Sequence, residues 1–248
     1  MPDAAGSFLA LRNIMANAQL NHTYRMSRVG LGNLRSLGGG SRNILGVSYG
    51  YTNTKKVAAA AGTALVHAAI TGSSSAATTV TSSITDPDVP RNLTVTAGGT
   101  AGDIAAGNVT ITGTNVEGKV ITEDFAITVD TAGTITGNKA FKTVTSILIP
   151  QQDGAAATYA IGVGSKIGLN HRLASTAGTG TVRIVSITTA GVKTLQSAPS
   201  AVASSATLVE SNTVTPSTLP NGTTSYSIHY FFYNWVLDPT NGLAQYGA

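Results

Sequence analysis

Residues 108–114 read Asn-Val-Thr-Ile-Thr-Gly-Thr, apolar and polar positions taking turns. A strand with one face in a core and the other toward solvent needs that alternation. The same grammar recurs along most of the chain. Apolar or Thr-rich runs at 47–52, 64–71 and 77–84 are bounded by Gly and Ser, and Asp86-Pro87-Asp88-Val89-Pro90 makes a stiff turn before a strand at 91–97. The 108–114 strand continues through Asn115-Val116-Glu117-Gly118 into 119–129, which predicts a hairpin because Asn and Gly tolerate tight turns. Gly137-Asn138-Lys139 is expected to separate a short strand from another at 141–149, closed by Pro150. Further strands are expected at 158–163, 181–188, 193–197, 206–210 and 225–237.

One helix is expected. In residues 7–20 Ser7 can cap the start, and Leu11, Ile14, Met15 and Ala18 recur at steps of three and four. From residue 24 to 48 glycines break the pattern. These signals predict an all-β fold, a sandwich or barrel of about a dozen short antiparallel strands, with an N-terminal arm containing one short helix. Three parts follow: a basic, Gly-rich arm at 1–56, a β-rich body at 57–197, and a Thr/Pro-rich loop or linker with a C-terminal aromatic strand at 198–248. That strand gathers Tyr226, Tyr230, Phe231, Phe232, Tyr233 and Trp235. Rings on both of its faces suit two buried faces, or one core face and one interface, and an exposed ring face can also stack on carbohydrate.

Charge alters the picture of the surface. Only 10% of the 248 residues are charged, against about 25% in an ordinary soluble domain, so hydroxyls and small side chains must clothe much of the exterior. Such a surface suits permanent assembly, and a homo-oligomer is expected. Residues 1–56 hold seven basic side chains and one acid, a balance of +6, whereas residues 57–248 hold eight basic and ten acidic, a balance of −2. The arm therefore carries the positive charge. Its cations are spread out without a run of five, which fits a protein contact rather than nucleic-acid binding. Arg12, Arg25, Arg28, Arg35 and Arg42, with Tyr230, Phe232 and Trp235, are the candidate interface residues.

Candidate chemistry is sparse. There is no cysteine, so no disulfide or thiolate site is expected. His22, His67, His171 and His229 lie far apart and show no HxH, HxxxH or HExxH spacing. Asp86 and Asp88 flank Pro87, where Asx turn-capping explains them better than a cation site. Glu123 and Asp124 point to opposite faces of a strand and form no carboxylate pair. The glycines at 30, 32, 38, 39 and 40 miss the dinucleotide spacing, and Gly162-Val163-Gly164-Ser165-Lys166 misses the phosphate-loop spacing, so both sets are expected in loops or turns. No GxSxG occurs. Neither an enzyme nor a cofactor or metal is expected. The start lacks a signal-peptide pattern and no apolar run is long enough to span a membrane, so cytoplasmic synthesis without export is expected, and Asn-x-Thr at Asn21, Asn92, Asn108 and Asn221 should carry no glycan.

Four blocks carry a resemblance: Asp86-Pro-Asp-Val-Pro-Arg-Asn-Leu-Thr-Val-Thr96; Gly107-Asn-Val-Thr-Ile-Thr-Gly-Thr-Asn115 with Gly118 and Ile121-Thr-Glu123; Gly137-Asn-Lys-Ala-Phe-Lys-Thr-Val-Thr-Ser-Ile147; and Ile161-Gly-Val-Gly-Ser-Lys-Ile-Gly-Leu169. In this order they resemble a segment of structural proteins of tailed bacteriophages, over about a third of the chain. The resemblance implies a virion component made in the host cytoplasm, most simply a head decoration or cement protein. Its partners would be the major capsid protein or other virion proteins. A tail-fibre or spike module that binds host surface glycans is the alternative. The resemblance transfers no catalytic residue.

Overall fold

A computed structural model describes residues 47–53, 57–173, 182–196, 198–205 and 207–233. The chain divides into two compact units, Met1–Gly50 with Phe231–Ala248, and Tyr51–Tyr230. The described side chains lie in the second. The candidate helix at 7–20 and the five arginines of the arm lie outside the described residues.

The described residues form β1 (Val47–Asn53), β2 (Gly62–Thr71), β3 (Thr78–Val80), β4 (Arg91–Gly99), β5 (Gly107–Thr114), β6 (Val120–Ile127), β7 (Gly133–Phe141), β8 (Thr143–Ile149), β9 (Ala157–Gly168), β10 (Arg183–Thr188), β11 (Lys193–Leu195), β12 (Ala201–Ala203), β13 (Thr213–Thr215) and β14 (Thr224–Tyr233). Among the described residues the fold is all-β and antiparallel, as expected, with two short 3₁₀ turns besides the strands. One sheet runs β12-β13-β9-β4-β7, with β2 also paired to β9; a second runs β3-β8-β5-β6; a third runs β1-β14-β10-β11.

The first two sheets close on one apolar core. Val66 and Ile70 of β2, Leu93 and Val95 of β4, and Tyr159, Ile161 and Val163 of β9 form one cluster with Val109, Ile111, Ile121, Phe125, Ile147 and Ile149 of β5, β6 and β8. The alternation puts them there: in β5, Val109 and Ile111 are buried while their neighbours Thr110 and Thr112 face outward. The expected hairpin joins β5 to β6 in unbroken register from Gly107↔Ile127 to Thr114↔Val120. Asn115 Oδ1 accepts the Glu117 and Lys119 amides at 3.0 Å each, and Gly118 takes a φ of +82°.

Several boundaries differ from expectation. Gly137-Asn138-Lys139 does not divide two strands: β7 runs through it, and the chain changes sheet at Lys142, whose amide reaches Thr114 O. The ladder on β4 holds both flanks of that triplet, overriding local turn preference. Residues 206–210 form no described strand; Val209–Ser211 is a 3₁₀ turn. The stretch expected as loop or linker contributes β12 and β13, and β13 pairs with the end of β9. Gly162 and Gly164 lie in β9, not in a loop. A Cβ on Gly162 would fall 1.8 Å from Gly62 O, so the glycine admits the bulged backbone of β2, where Gly62–His67 spans only Val163–Ile161 of its partner.

Candidate interaction surface

The carboxylates singled out in the sequence hold distant backbone. Asp86 Oδ1 accepts the Val144 amide at 2.9 Å, and Asp88 Oδ2 accepts the Ala59 amide at 2.5 Å. Of the expected Asx capping, only Asp88 Oδ1 with the Val89 amide is local. Asp88 also pairs with Arg91, whose side chain is 0% exposed. Arg91 Nε donates to Gly164 O at 2.7 Å, one terminal nitrogen donates to the same carbonyl, and the other donates to Ala59 O at 2.9 Å. A buried cation requires such full pairing. The pattern alone gave no sign of it, since an arginine opening a strand reads as an exposed rim residue.

Next to Arg91 the sheet opens on both sides of β4. Asn92 and Thr94 oppose Ala140 and Thr136, two steps against four on β7, while Arg91 and Leu93 oppose Ile167 and Val163, two steps against four on β9. Both neighbours therefore bulge around Asn92. Its fully buried amide fills the gap, donating to Gly137 O at 3.0 Å and accepting the Lys166 amide at 2.9 Å. This burial leaves no room for a glycan at Asn92. Gly164 is required here, because a Cβ would come 2.4 Å from the Asn92 side chain.

Glu123 reaches the β7 bulge from β6. No ladder joins these two strands; Glu123 Oε1 accepts the Asn138 amide at 2.6 Å and the Lys139 amide at 3.2 Å, and Lys139 Nζ donates to Thr122 O at 2.6 Å. Burial pushes the Glu123 carboxyl above its usual value, against the opposing pull of the two amides and of Lys139 and Lys166. Asp124, on the opposite face as expected, accepts from Thr110 Oγ1 at 2.6 Å.

The histidines do not converge. His67 Nδ1 lies 2.6 Å from Ala68 O, His171 Nδ1 lies 2.9 Å from the Tyr230 hydroxyl, and His229 Nε2 lies 3.1 Å from Ser227 Oγ. No group of three or more potential metal-binding side chains occurs among the described residues. His22 lies outside them. Burial lowers the pKa of both His171 and His229.

The aromatic strand divides. Tyr226 and Tyr230 lie on the buried face of β14 with Ile228, and Tyr230 is 1% exposed. Its ring is thus covered by the chain's own fold, a correction to its reading as an outward contact: the buried strand face is the one with the Tyr226, Ile228, Tyr230 period. The Tyr226 hydroxyl donates to Thr218 O at 3.0 Å, and burial raises its pKa to about 12 although Arg91 pulls the other way. The side chains of Phe232 and Trp235 lie outside the described residues.

Outward apolar surface sits at strand edges that the sequence reading did not select. β11 ends the third sheet, with Leu195 66% exposed, and Val192 in the β10–β11 turn is 59% exposed. Val120, opening β6, is 66% exposed. An edge strand presents unpaired backbone, so exposed apolar side chains beside it fit a protein contact. No helix among the described residues is long and apolar enough to cross a membrane. No family model, curated protein or solved structure matches the chain.

Proposed function

We propose that the chain is a structural component of a bacteriophage particle, a decoration or cement protein that docks on the head shell as a homo-oligomer. The observation that carries this reading is where the resembling blocks fall. They supply β4, β5, β7 with β8, and β9, which pack into one sandwich, so the resemblance covers a folding unit and not scattered turns. The exposed edge at Val192 and Leu195 offers contact surface, and the arm with its +6 balance over residues 1–56 offers charge to an acidic shell.

A cryo-EM map of the intact particle tests the reading. The expected result is density shaped like the sandwich at symmetric sites on the head lattice. Density confined to the tail tip would replace this reading with the glycan-binding fibre module. Deleting residues 1–45 should reduce occupancy on the head; full occupancy would remove the arm from the docking mechanism.

A further inference from the structure

The bulges beside Asn92 bring together two side chains from strands that are not neighbours. β7 and β9 are separated by β4, and strands two places apart lie roughly 10 Å from one another. Even so, Lys166 Nζ lies 2.5 Å from Asn138 Oδ1 and 3.3 Å from Gly137 O. Both backbones are fixed at the contact: Asn92 holds the Lys166 amide and Gly137 O, and Glu123 holds the Asn138 amide. Glu123 also lies within electrostatic reach of Lys166. An amine, a carboxamide and a carboxyl group are thus held on three strands around one bulge.

We propose that Lys166 and Asn138 are the partners of an intramolecular isopeptide bond, with Glu123 as the proton carrier. Lys166 enters as an ammonium and gives one proton to the Glu123 carboxylate. The free amine attacks Asn138 Cγ, forming the C–N bond and a tetrahedral centre. Collapse of that centre breaks the Cγ–Nδ2 bond; the departing nitrogen takes one proton from the attacking amine and one from Glu123, leaves as ammonium, and Glu123 returns to its carboxylate form. No electrons change hands and no co-reactant is needed. Fixed placement supplies the rate, because holding two groups in contact replaces a bimolecular encounter. Burial favours the protonated form of Glu123, which suits a group that must hold a proton between the two steps. The product ties β7 to β9 across β4. It is independent of any role on a particle.

The full chain, purified folded, gives the test by intact-mass measurement and peptide mapping. The expected mass is below that of the sequence by one ammonia, with a branched peptide joining residues 166 and 138 after proteolysis. Lys166→Arg keeps the hydrogen-bond donors and should restore the full mass. Glu123→Gln keeps an acceptor for the β7 amides but carries no proton, and should also show the full mass. Asn138→Asp should lose water in place of ammonia. A wild-type chain at full mass overturns the proposal. So does an ammonia loss at Asn138 that persists in Lys166→Arg, because the lost nitrogen then owes nothing to a bond with Lys166.

Discussion

The sandwich built from β2 to β9 and the segment from residue 182 to residue 230 draw on the same Thr- and Val-rich vocabulary, but different forces hold them. In the sandwich, long strands interleave two rows of aliphatic and aromatic side chains, and Leu93, Val95, Ile111, Ile147 and Ile161 are all fully buried. In the later segment β10 and β14 bury Ile184, Tyr226, Ile228 and Tyr230, but β11, β12 and β13 have three residues each, too few to present a row. Side-chain amides supply the order there. Asn212 Oδ1 accepts the Leu173 and Ser205 amides at 2.9 Å each, while its Nδ2 donates to Ser205 O, Leu208 O and Val209 O. Gln196 Oε1 accepts the Ser217 and Thr218 amides and the Ser217 hydroxyl. Burial of apolar area is non-directional and tolerates adjustment, whereas a buried amide holding several backbone groups fails at once when it is removed.

The largest expected effect tests the sandwich. Phe125→Ala should cost about 3–5 kcal/mol through lost burial and an unfilled cavity, read as a lower denaturant midpoint for the whole body. Arg91→Met ranks close to it: Asp88 and the Gly164 and Ala59 carbonyls would lose their partner, at about 3–5 kcal/mol for a broken buried pair. The Arg91 node tethers residue 59 to β4 and β9, so hydrogen exchange should rise first around residues 57–62. If exchange rises uniformly instead, Arg91 belongs to the global core.

Asn212→Ala should act more locally. Each stranded backbone amide costs about 1–3 kcal/mol, and exchange should accelerate across residues 201–215 while β4 and β9 stay protected. Loss of protection in β4 at the same rate would erase the contrast between the regions.

The smallest effects come from pH, and their signs oppose. His171 and His229 have folded pKa values below the ordinary 6.5. Their contribution to stability is present above pH 6.5 and is lost as pH falls through the range beneath it, because the unfolded chain takes up the protons first. Glu123 has a folded pKa above the ordinary 4.5. Its contribution is full below pH 4.5 and is lost as pH rises through the folded value. Thermal midpoints between pH 7 and 4 should therefore fall less steeply in His171→Gln than in wild type. In Glu123→Gln they should fall more steeply, since the favourable protonation is gone. Equal slopes in all three proteins would show that neither group governs the acid response.

Most sandwich strands could be read from alternation, and the β5–β6 hairpin was placed with its turn residues. The misplaced elements share a cause. Gly137-Asn138-Lys139 and Gly162-Val163-Gly164 carry turn-forming residues inside long strands because bulges and a close backbone approach need small residues there. The reverse error occurred at residues 201–215, where Pro- and Thr-rich chain forms short strands because the end of β9 offers β13 a ladder. Asp86 and Asp88 were visible as turn residues, but their main partners, Val144 and Ala59, are distant in sequence. The meeting of Glu123, Asn138 and Lys166 left no trace in spacing.

The sequence by itself determined the class of fold, since a period of two commits a segment to a strand with one buried face. It also determined the uneven charge between the first 56 residues and the rest. Only the tertiary structure decided which polar residues are buried. Arg91, Asn92 and Asn212 look like surface residues in the string and sit at 0% exposure in the fold. The physical reason is that a buried polar group is stable only when its partners arrive from other strands, and partners so far apart along the chain become neighbours only through the sheet order.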